Sequence, residues 1–204
     1  LPALAAHAIA ALLIACMPIV AWFWLRRRFD LAWRDIGVGA AVFVVFALVL
    51  ERTLHLYLLQ LNPVTAQWLR MPVLFVIYGA LMAGLFEETG RWLGLRFLTR
   101  KPGDAATPVA YALGHAGIEA WLVGTASQAQ MVMFGIAANR GELESRLAAS
   151  GADAMAGTIH AMLAQLSPWL ALGAFSERIA AMLIQFTLTL VVWHAVRQRR
   201  FVIV

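Results

Sequence analysis

The chain has 204 residues, of which 62% are hydrophobic and 13% are charged. Soluble domains are nearer half apolar and a quarter charged, so this composition excludes an ordinary soluble globule. The mean hydropathy of +0.77 and the long apolar runs indicate several membrane-spanning helices, because each crossing needs about 20 apolar residues. No run alternates in polarity at every second residue, which excludes an outer-membrane barrel. We therefore predict an all-α polytopic bundle in which residues 1–204 form a single integral membrane domain.

The first two apolar segments are separated by a short basic link. Residues 1–25 form the first predicted span, which ends at the three arginines 26–28. The second predicted span covers residues 36–61 and ends at Asn62-Pro63, because the residue before a proline is disfavoured in a helix.

The next two predicted spans cover residues 71–97 and about 107–138. The turn-forming sequence Pro102-Gly103-Asp104 separates them, and proline is tolerated in the first turn at Thr107-Pro108. The charged residues 139–154 predict a solvent-exposed loop.

The end of the chain is less regular. Residues 156–175 are moderately apolar and are interrupted by polar residues and by Pro168, which favours a re-entrant or interfacial helical pair. The last predicted span covers residues 177–196. The total is about five spans, with six as the alternative if residues 156–175 cross the membrane.

Lysine and arginine at the loop ends predict the orientation, because cytoplasmic loops are enriched in them. One side carries ten such residues, namely Arg26, Arg27, Arg28, Arg34, Arg96, Arg100, Lys101, Arg197, Arg199 and Arg200, and the other carries three, namely Arg70, Arg140 and Arg146. The side with ten basic residues is expected to be cytoplasmic. The chain is therefore expected in a bacterial inner membrane, with its C-terminus in the cytoplasm. The net charge of +5 therefore reports orientation and does not indicate nucleic-acid binding.

Eight further charges lie within or at the edge of the apolar segments. They are Glu51, Arg52, Glu87, Glu88, Arg91, Glu119, Glu177 and Arg178. A charge at mid-membrane costs about 2.5–3.5 kcal/mol on insertion scales, so such residues are rare and are usually paired or functional. We expect them to form an internal polar cluster, either as structural ion pairs between helices or as a functional site.

Helical spacing predicts which of these side chains meet. Glu87 and Glu88 reach towards Arg91 at i+4 and i+3. Two Glu and His pairs are also spaced by four residues, and each offers two metal ligands on one helical face: Glu51 with His55, and His115 with Glu119. Facing helices of this kind are able to hold a divalent metal such as zinc, with His115, Glu119, Glu88, Glu51 and His55 as the candidate ligands.

Two motifs connect these residues with a known family, namely Phe86-Glu87-Glu88-Thr89-Gly90-Arg91 and Gly114-His115-Ala116-Gly117-Ile118-Glu119. With the early Glu51 to His55 pair and the late Glu177-Arg178 pair, they resemble the YhfC family of intramembrane metalloproteases, distant relatives of the CAAX prenyl proteases and bacteriocin-processing enzymes. The resemblance implies that Glu87 or Glu88 activates a water as general base, with Arg91 and His115 in the same catalytic site.

The chain departs from the related patterns at its C-terminal end. The wider superfamily has a late His-x-x-x-Asn or His-x-x-x-Asp motif, but the fourth residues after His160 and His194 are Ala164 and Gln198. The YhfC pattern places a histidine about seven residues after the late Glu-Arg pair, where this chain has Gln185.

Three hypotheses follow. The first is an intramembrane protease that cleaves a membrane-embedded or lipidated substrate with a glutamate-activated water, with or without a metal. The second, favoured by Gln185, is a catalytically inactive relative that binds or scaffolds membrane partners. The third is a small ion-coupled transporter, because intramembrane carboxylates and histidines also form proton relays. The expected partner in each case is the lipid bilayer, and the oligomeric state is left open.

Overall fold

A computed structural model describes residues 2–99 and 104–198, and all regular elements in these ranges are helical. The helices are α1 (Pro2–Leu25), α2 (Trp33–Leu61), α3 (Pro63–Trp68), α4 (Pro72–Leu98), α5 (106–139), α6 (Leu143–Ala149), α7 (Ala156–Ala164) and α8 (Pro168–Arg197). The predicted all-α membrane fold is confirmed. Six residues used for the predicted turn and the orientation lie outside the described ranges: Arg100, Lys101, Pro102, Gly103, Arg199 and Arg200.

Four helices are long and apolar enough to cross a membrane, namely α1, α2, α4 and α8. The other predicted span, α5, is continuous over three helical segments of 14, 6 and 14 residues, but it is not among those four. Its first part is buried at every residue from Ala106 to Gly117. A helix buried on all sides lies within the protein rather than against lipid.

The chain divides into two compact units. Unit one comprises Leu1–Val20 and Glu119–Met182, and unit two comprises Ala21–Ile118 and Leu183–Val204. The single membrane domain expected from the sequence stays a prediction.

In unit two, α2 and α5 approach each other through a pair of glycines. A Cβ atom on Gly39 would overlap the carbonyl oxygen of Tyr111, and a Cβ atom on Gly114 would overlap the carbonyl oxygen of Ile36. Small residues allow helix backbones to pack this closely in membranes. The contact places His115, which directly follows Gly114, in the interior of the unit.

In unit one, the stretch predicted as a solvent loop is helical. Gly141 and Gly151 both adopt φ 70°, and each ends a helix in the left-handed conformation that glycine tolerates best. Between them, Leu143 and Leu147 bury one face of α6 against Ile159. The loop prediction was wrong because two apolar residues at i and i+4 suffice to fold a charged segment onto a neighbouring helix.

The last long helix begins at Pro168 rather than at Glu177, so the expected helical pair over 156–175 is split between α7 and the first turns of α8. The hydroxyl of Ser167 accepts a hydrogen bond from the backbone N–H of Leu170 (3.2 Å), and proline suits a first helical turn.

Candidate active site

Arg91 is the centre of a buried polar group in unit two. It lies on α4, its side chain is 0% exposed, and its Nη2 atom is 3.1 Å from Glu88 Oε1 and 3.7 Å from Glu87 Oε2. The contacts expected from the i+3 and i+4 spacing are thus present. The guanidinium also donates to residues of α8: Nη1 donates to the Gln185 carbonyl (3.0 Å) and the Thr189 hydroxyl (2.7 Å).

Gln185 connects Arg91 with Glu87. Its side-chain oxygen accepts a hydrogen bond from Arg91 Nη2, and its amide nitrogen donates to Glu87 Oε2 (2.8 Å). The residue at which the chain departs from the family pattern therefore takes part in the polar group. We refer to Glu87, Glu88, Arg91, His115 and Gln185 as the Arg91 cluster.

His115 completes the cluster from α5. Its Nε2 atom is 3.6 Å from Glu87 Oε2, and its ring is 0% exposed. The ring packs edge-on against Phe43, with centroids 5.2 Å apart, and stacks on Tyr111 at 6.1 Å. Among the residues that the structure describes, neither ring nitrogen has a partner within hydrogen-bonding distance, which costs about 1–3 kcal/mol for a buried polar atom. The imidazole is therefore held rigidly with its hydrogen-bonding capacity available to a bound molecule.

The four predicted catalytic residues, Glu87, Glu88, Arg91 and His115, thus lie together in unit two. Their catalytic roles stay a prediction. The side chains of Glu87 and Glu88 are each 19% exposed, whereas Arg91 and His115 are fully buried. The two carboxylates are therefore the members of the cluster that a substrate or a water reaches.

Glu51 and His55 form a separate chain of hydrogen bonds. His55 Nε2 is 3.1 Å from Glu51 Oε1, as the i+4 spacing predicts, and His55 Nδ1 is 2.7 Å from the hydroxyl of Tyr78. Both ring nitrogens are therefore engaged within the protein. Glu51 is close enough to Glu87 for the two carboxylates to interact electrostatically.

Glu119 is described with unit one. Its carboxylate accepts a hydrogen bond from Arg178 (3.0 Å), and Arg178 also donates to Glu177. Arg178 is only 14% exposed in an apolar helix, so it needs a carboxylate partner. The two members of the spacing pair His115 and Glu119 are thus assigned to different units.

The described residues do not complete a three-ligand zinc centre. With ligand bonds of about 2.0–2.1 Å, two donors of a tetrahedral zinc lie roughly 3.3 Å apart, and the 3.6 Å between His115 Nε2 and Glu87 Oε2 is close to this value. The unpartnered nitrogens of His115 also suit a ligand. However, no group of three His, Cys, Asp or Glu side chains able to hold a metal is found among the described residues. The Gln185 side chain beside Glu87 is bonded to both Arg91 and Glu87.

Two further residues of the site had no signal in the sequence. Thr189 is fully buried and accepts a hydrogen bond from Arg91, and it follows Gln185 by one helical turn. Tyr78 lies on α4 and holds His55. Both contacts join distant parts of the chain, which helical spacing does not reveal.

Comparisons with known proteins identify the family of the chain. The family model described as YhfC intramembrane metalloprotease matches residues 12–204. The uncharacterized membrane protein YhfC of Bacillus subtilis (strain 168) is 34% identical over 184 residues, which cover 90% of this chain and 71% of that protein. No solved structure matches the chain significantly. Because the family model extends over nearly the whole length, the chain belongs to the YhfC intramembrane metalloprotease family.

Proposed function

We propose that the chain is an intramembrane peptidase in which Glu87 activates a water molecule. The observation that carries the proposal is the position of Glu87 Oε2, 3.6 Å from the unpartnered Nε2 of His115 and 2.8 Å from the Gln185 amide, in a family described as proteases. Hydrolysis needs a positioned base and a donor for the oxyanion, and these residues supply both.

The roles follow from the contacts. Glu87 accepts a proton from the water while the water oxygen bonds to the substrate carbonyl carbon. Glu87 then passes that proton to the leaving nitrogen as the C–N bond breaks. Entry of the substrate beside Glu87 uncovers the buried His115, which then offers a ring N–H to the oxygen that becomes negative. Arg91 lies closer to Glu88 (3.1 Å) than to Glu87 (3.7 Å), so Glu88 is its main counter-ion and Glu87 is left to act as base.

No step is assigned to a metal, because the donor set is incomplete in the described residues. The family description names metalloproteases, so metal analysis of the purified protein is part of the test. Stoichiometric zinc that is lost in both Glu87→Gln and His115→Ala would replace the metal-free mechanism by a metal-assisted one.

We also propose the substrate class and the orientation. The carboxylates lie on a helix that is long and apolar enough to span a membrane, which suits a membrane-embedded or lipidated peptide. The ten basic residues at one set of loop ends favour a bacterial inner membrane with the C-terminus in the cytoplasm.

The test compares membrane proteins of cells that express the wild type or a variant, by mass spectrometry of new N-termini. Glu87→Gln is expected to lower the yield of wild-type-specific termini by about a hundredfold or more, the usual effect of losing a general base. Glu142→Gln is the matched control, because Glu142 pairs with Arg146 on an exposed surface. If the wild type and Glu87→Gln yield the same termini, the chain is not a protease of this kind.

Gln185 supports a second candidate function. A neutral amide stands where the family pattern has a histidine, and it links Arg91 to Glu87. This arrangement is also compatible with a scaffold that binds membrane partners without cleaving them. Under this second function, Glu87→Gln leaves the new termini unchanged but alters the proteins that copurify with the chain.

A further inference from the structure

A basic pocket lies where α1 ends and α2 begins, within unit two. It has a volume of about 440 Å³ and is lined by Arg26, Arg27, Arg28, Asp30, Trp22 and Trp33 among others. The two tryptophan rings are 5.4 Å apart, so the pocket combines aromatic walls with guanidinium groups. We refer to it as the arginine pocket.

The three arginines of this pocket carry uncompensated charge. In the part of the chain that the structure describes, none of them forms an ion pair, whereas Arg91, Arg146 and Arg178 all contact carboxylates. With Asp30 as the acidic residue of the lining, the local charge is about +2. The pocket is therefore suited to an anion.

Two of the three arginines lie against aromatic rings. The guanidinium of Arg26 lies 4.5 Å from the Trp22 ring centroid, and that of Arg28 lies 5.6 Å from the Trp24 ring centroid. Such contacts restrict long side chains without neutralising their charge. The guanidinium forks remain able to bind the oxygens of a phosphate in a bidentate manner.

The position of the pocket indicates where the anion comes from. It lies at the ends of two helices long and apolar enough to span a membrane, and Trp24 and Trp33 are 58% and 69% exposed. Exposed tryptophans at span ends lie at the depth of lipid headgroups. Basic pockets at this depth are suited to the phosphates of anionic lipids.

We propose that the arginine pocket binds the phosphate-bearing headgroup of an anionic phospholipid. The lipid phosphate contacts the guanidinium groups, the headgroup lies against the Trp22 and Trp33 rings, and the acyl chains lie along the apolar surface of α1. This site is separate from the proposed peptidase function and does not depend on it.

The test measures lipid binding by native mass spectrometry of the full chain released from nanodiscs that contain phosphatidylglycerol and phosphatidylcholine in equal amounts. The wild type is expected to retain phosphatidylglycerol preferentially. Replacing Arg26, Arg27 and Arg28 together by glutamine is expected to weaken its binding by about a hundredfold, since each cationic residue at a membrane surface contributes about a factor of five to ten. An equal retention of the two lipids by the wild type would overturn the proposal.

Two further variants separate a bound headgroup from general electrostatic attraction. Replacing the three arginines by lysine keeps the charge and the membrane orientation but removes the planar guanidinium groups that bind phosphate through two hydrogen bonds. We therefore expect folded protein with severalfold weaker phosphatidylglycerol binding. The matched control replaces Arg70, Arg140 and Arg146 by lysine, and it should bind as the wild type does. Unchanged binding in the pocket variant, or an equal loss in the control, would contradict the site.

A competition distinguishes the lipid from a free anion. Glycerol phosphate carries the same phosphate chemistry but no acyl chains, so a large excess is expected to leave the bound phosphatidylglycerol in place. Displacement of the lipid at matched concentrations would show that the pocket is a site for soluble phosphates and would overturn the proposal.

Discussion

The close approach of α2 and α5 predicts that alanine is not tolerated at Gly39 or Gly114. A Cβ atom at Gly114 would overlap the carbonyl oxygen of Ile36, and one at Gly39 would overlap that of Tyr111. Non-bonded heavy atoms prefer a separation of about 3.5–4.0 Å, so the two helices would have to move apart by roughly 1 Å or more. Gly37 lies on α2 only two residues from Gly39, and a Cβ there meets nothing within 4 Å.

The expected change in stability on substitution by alanine follows from these two environments. Overpacking at Gly39 or Gly114 costs about 1–3 kcal/mol. Gly37→Ala is expected to be neutral or to stabilise the helix by about 0.5–1 kcal/mol, because alanine loses less backbone entropy. The two variants should then differ by about 1–4 kcal/mol, and at about 2–4 °C per kcal/mol for a chain of this size Gly114→Ala should melt roughly 2–16 °C below Gly37→Ala.

The assay is thermal unfolding of the purified protein in detergent, followed by the circular dichroism of the helices. The two variants Gly39→Ala and Gly114→Ala should both melt early, because they widen the same contact. If either variant melts at the same temperature as Gly37→Ala, the backbones of α2 and α5 do not approach as closely as described. The position of His115 would then need another explanation.

Three further predictions concern the polar groups. Arg91→Met leaves two half-buried carboxylates without their cation and should cost about 3 kcal/mol in thermal unfolding, the lower end of the range for a buried pair, while Arg91→Lys, which keeps the charge, should cost less. Gln185→His places an imidazole beside Glu87 and should raise the zinc content to about one per chain by elemental analysis. An unchanged zinc content would show that residue 185, Glu87 and His115 do not bind one metal ion together. The hydrogen bond from His160 (2.7 Å) lowers the pKa of Glu144 below its ordinary value, so its stabilising effect is present above the unfolded-state pKa and is lost as the pH falls through the folded-state pKa. His160→Gln should raise the pKa of Glu144 towards its ordinary value in an NMR titration.

The bounds of the long helices follow from local signals. Apolar length, arginine runs and Asn62-Pro63 place the ends of α1, α2 and α4 within about three residues, because these signals act within a single segment. Asn62 shows why: its side chain accepts hydrogen bonds from the N–H groups of Val64 and Thr65, so the residue that ends α2 also begins α3. Segments whose structure depends on a distant partner, such as α6, could not be predicted in this way.

Helical spacing predicts contacts along one helix but not the choice among partners on several helices. It identified Glu87 with Arg91 and Glu51 with His55, and both contacts are present. It also paired His115 with Glu119, but Arg178 takes the Glu119 carboxylate. Leaving a charged arginine unpaired in an apolar helix costs more free energy than leaving a neutral histidine unpaired. The Glu119 carboxylate therefore pairs with the arginine.

The charge balance of the Arg91 cluster bears on which carboxylate acts as the base in the proposed function. Two carboxylates, Glu87 and Glu88, share the single cation Arg91, which leaves a net charge of about −1 when His115 is neutral. Arg91 is nearer to Glu88, and Gln185 gives Glu87 only one neutral hydrogen bond. In the proposed function we assign this excess charge to Glu87, which lies 3.6 Å from His115 Nε2. A carboxylate that is incompletely neutralised and partly exposed is the group best able to take a proton from water, which is why Glu87 rather than Glu88 is expected to be the base.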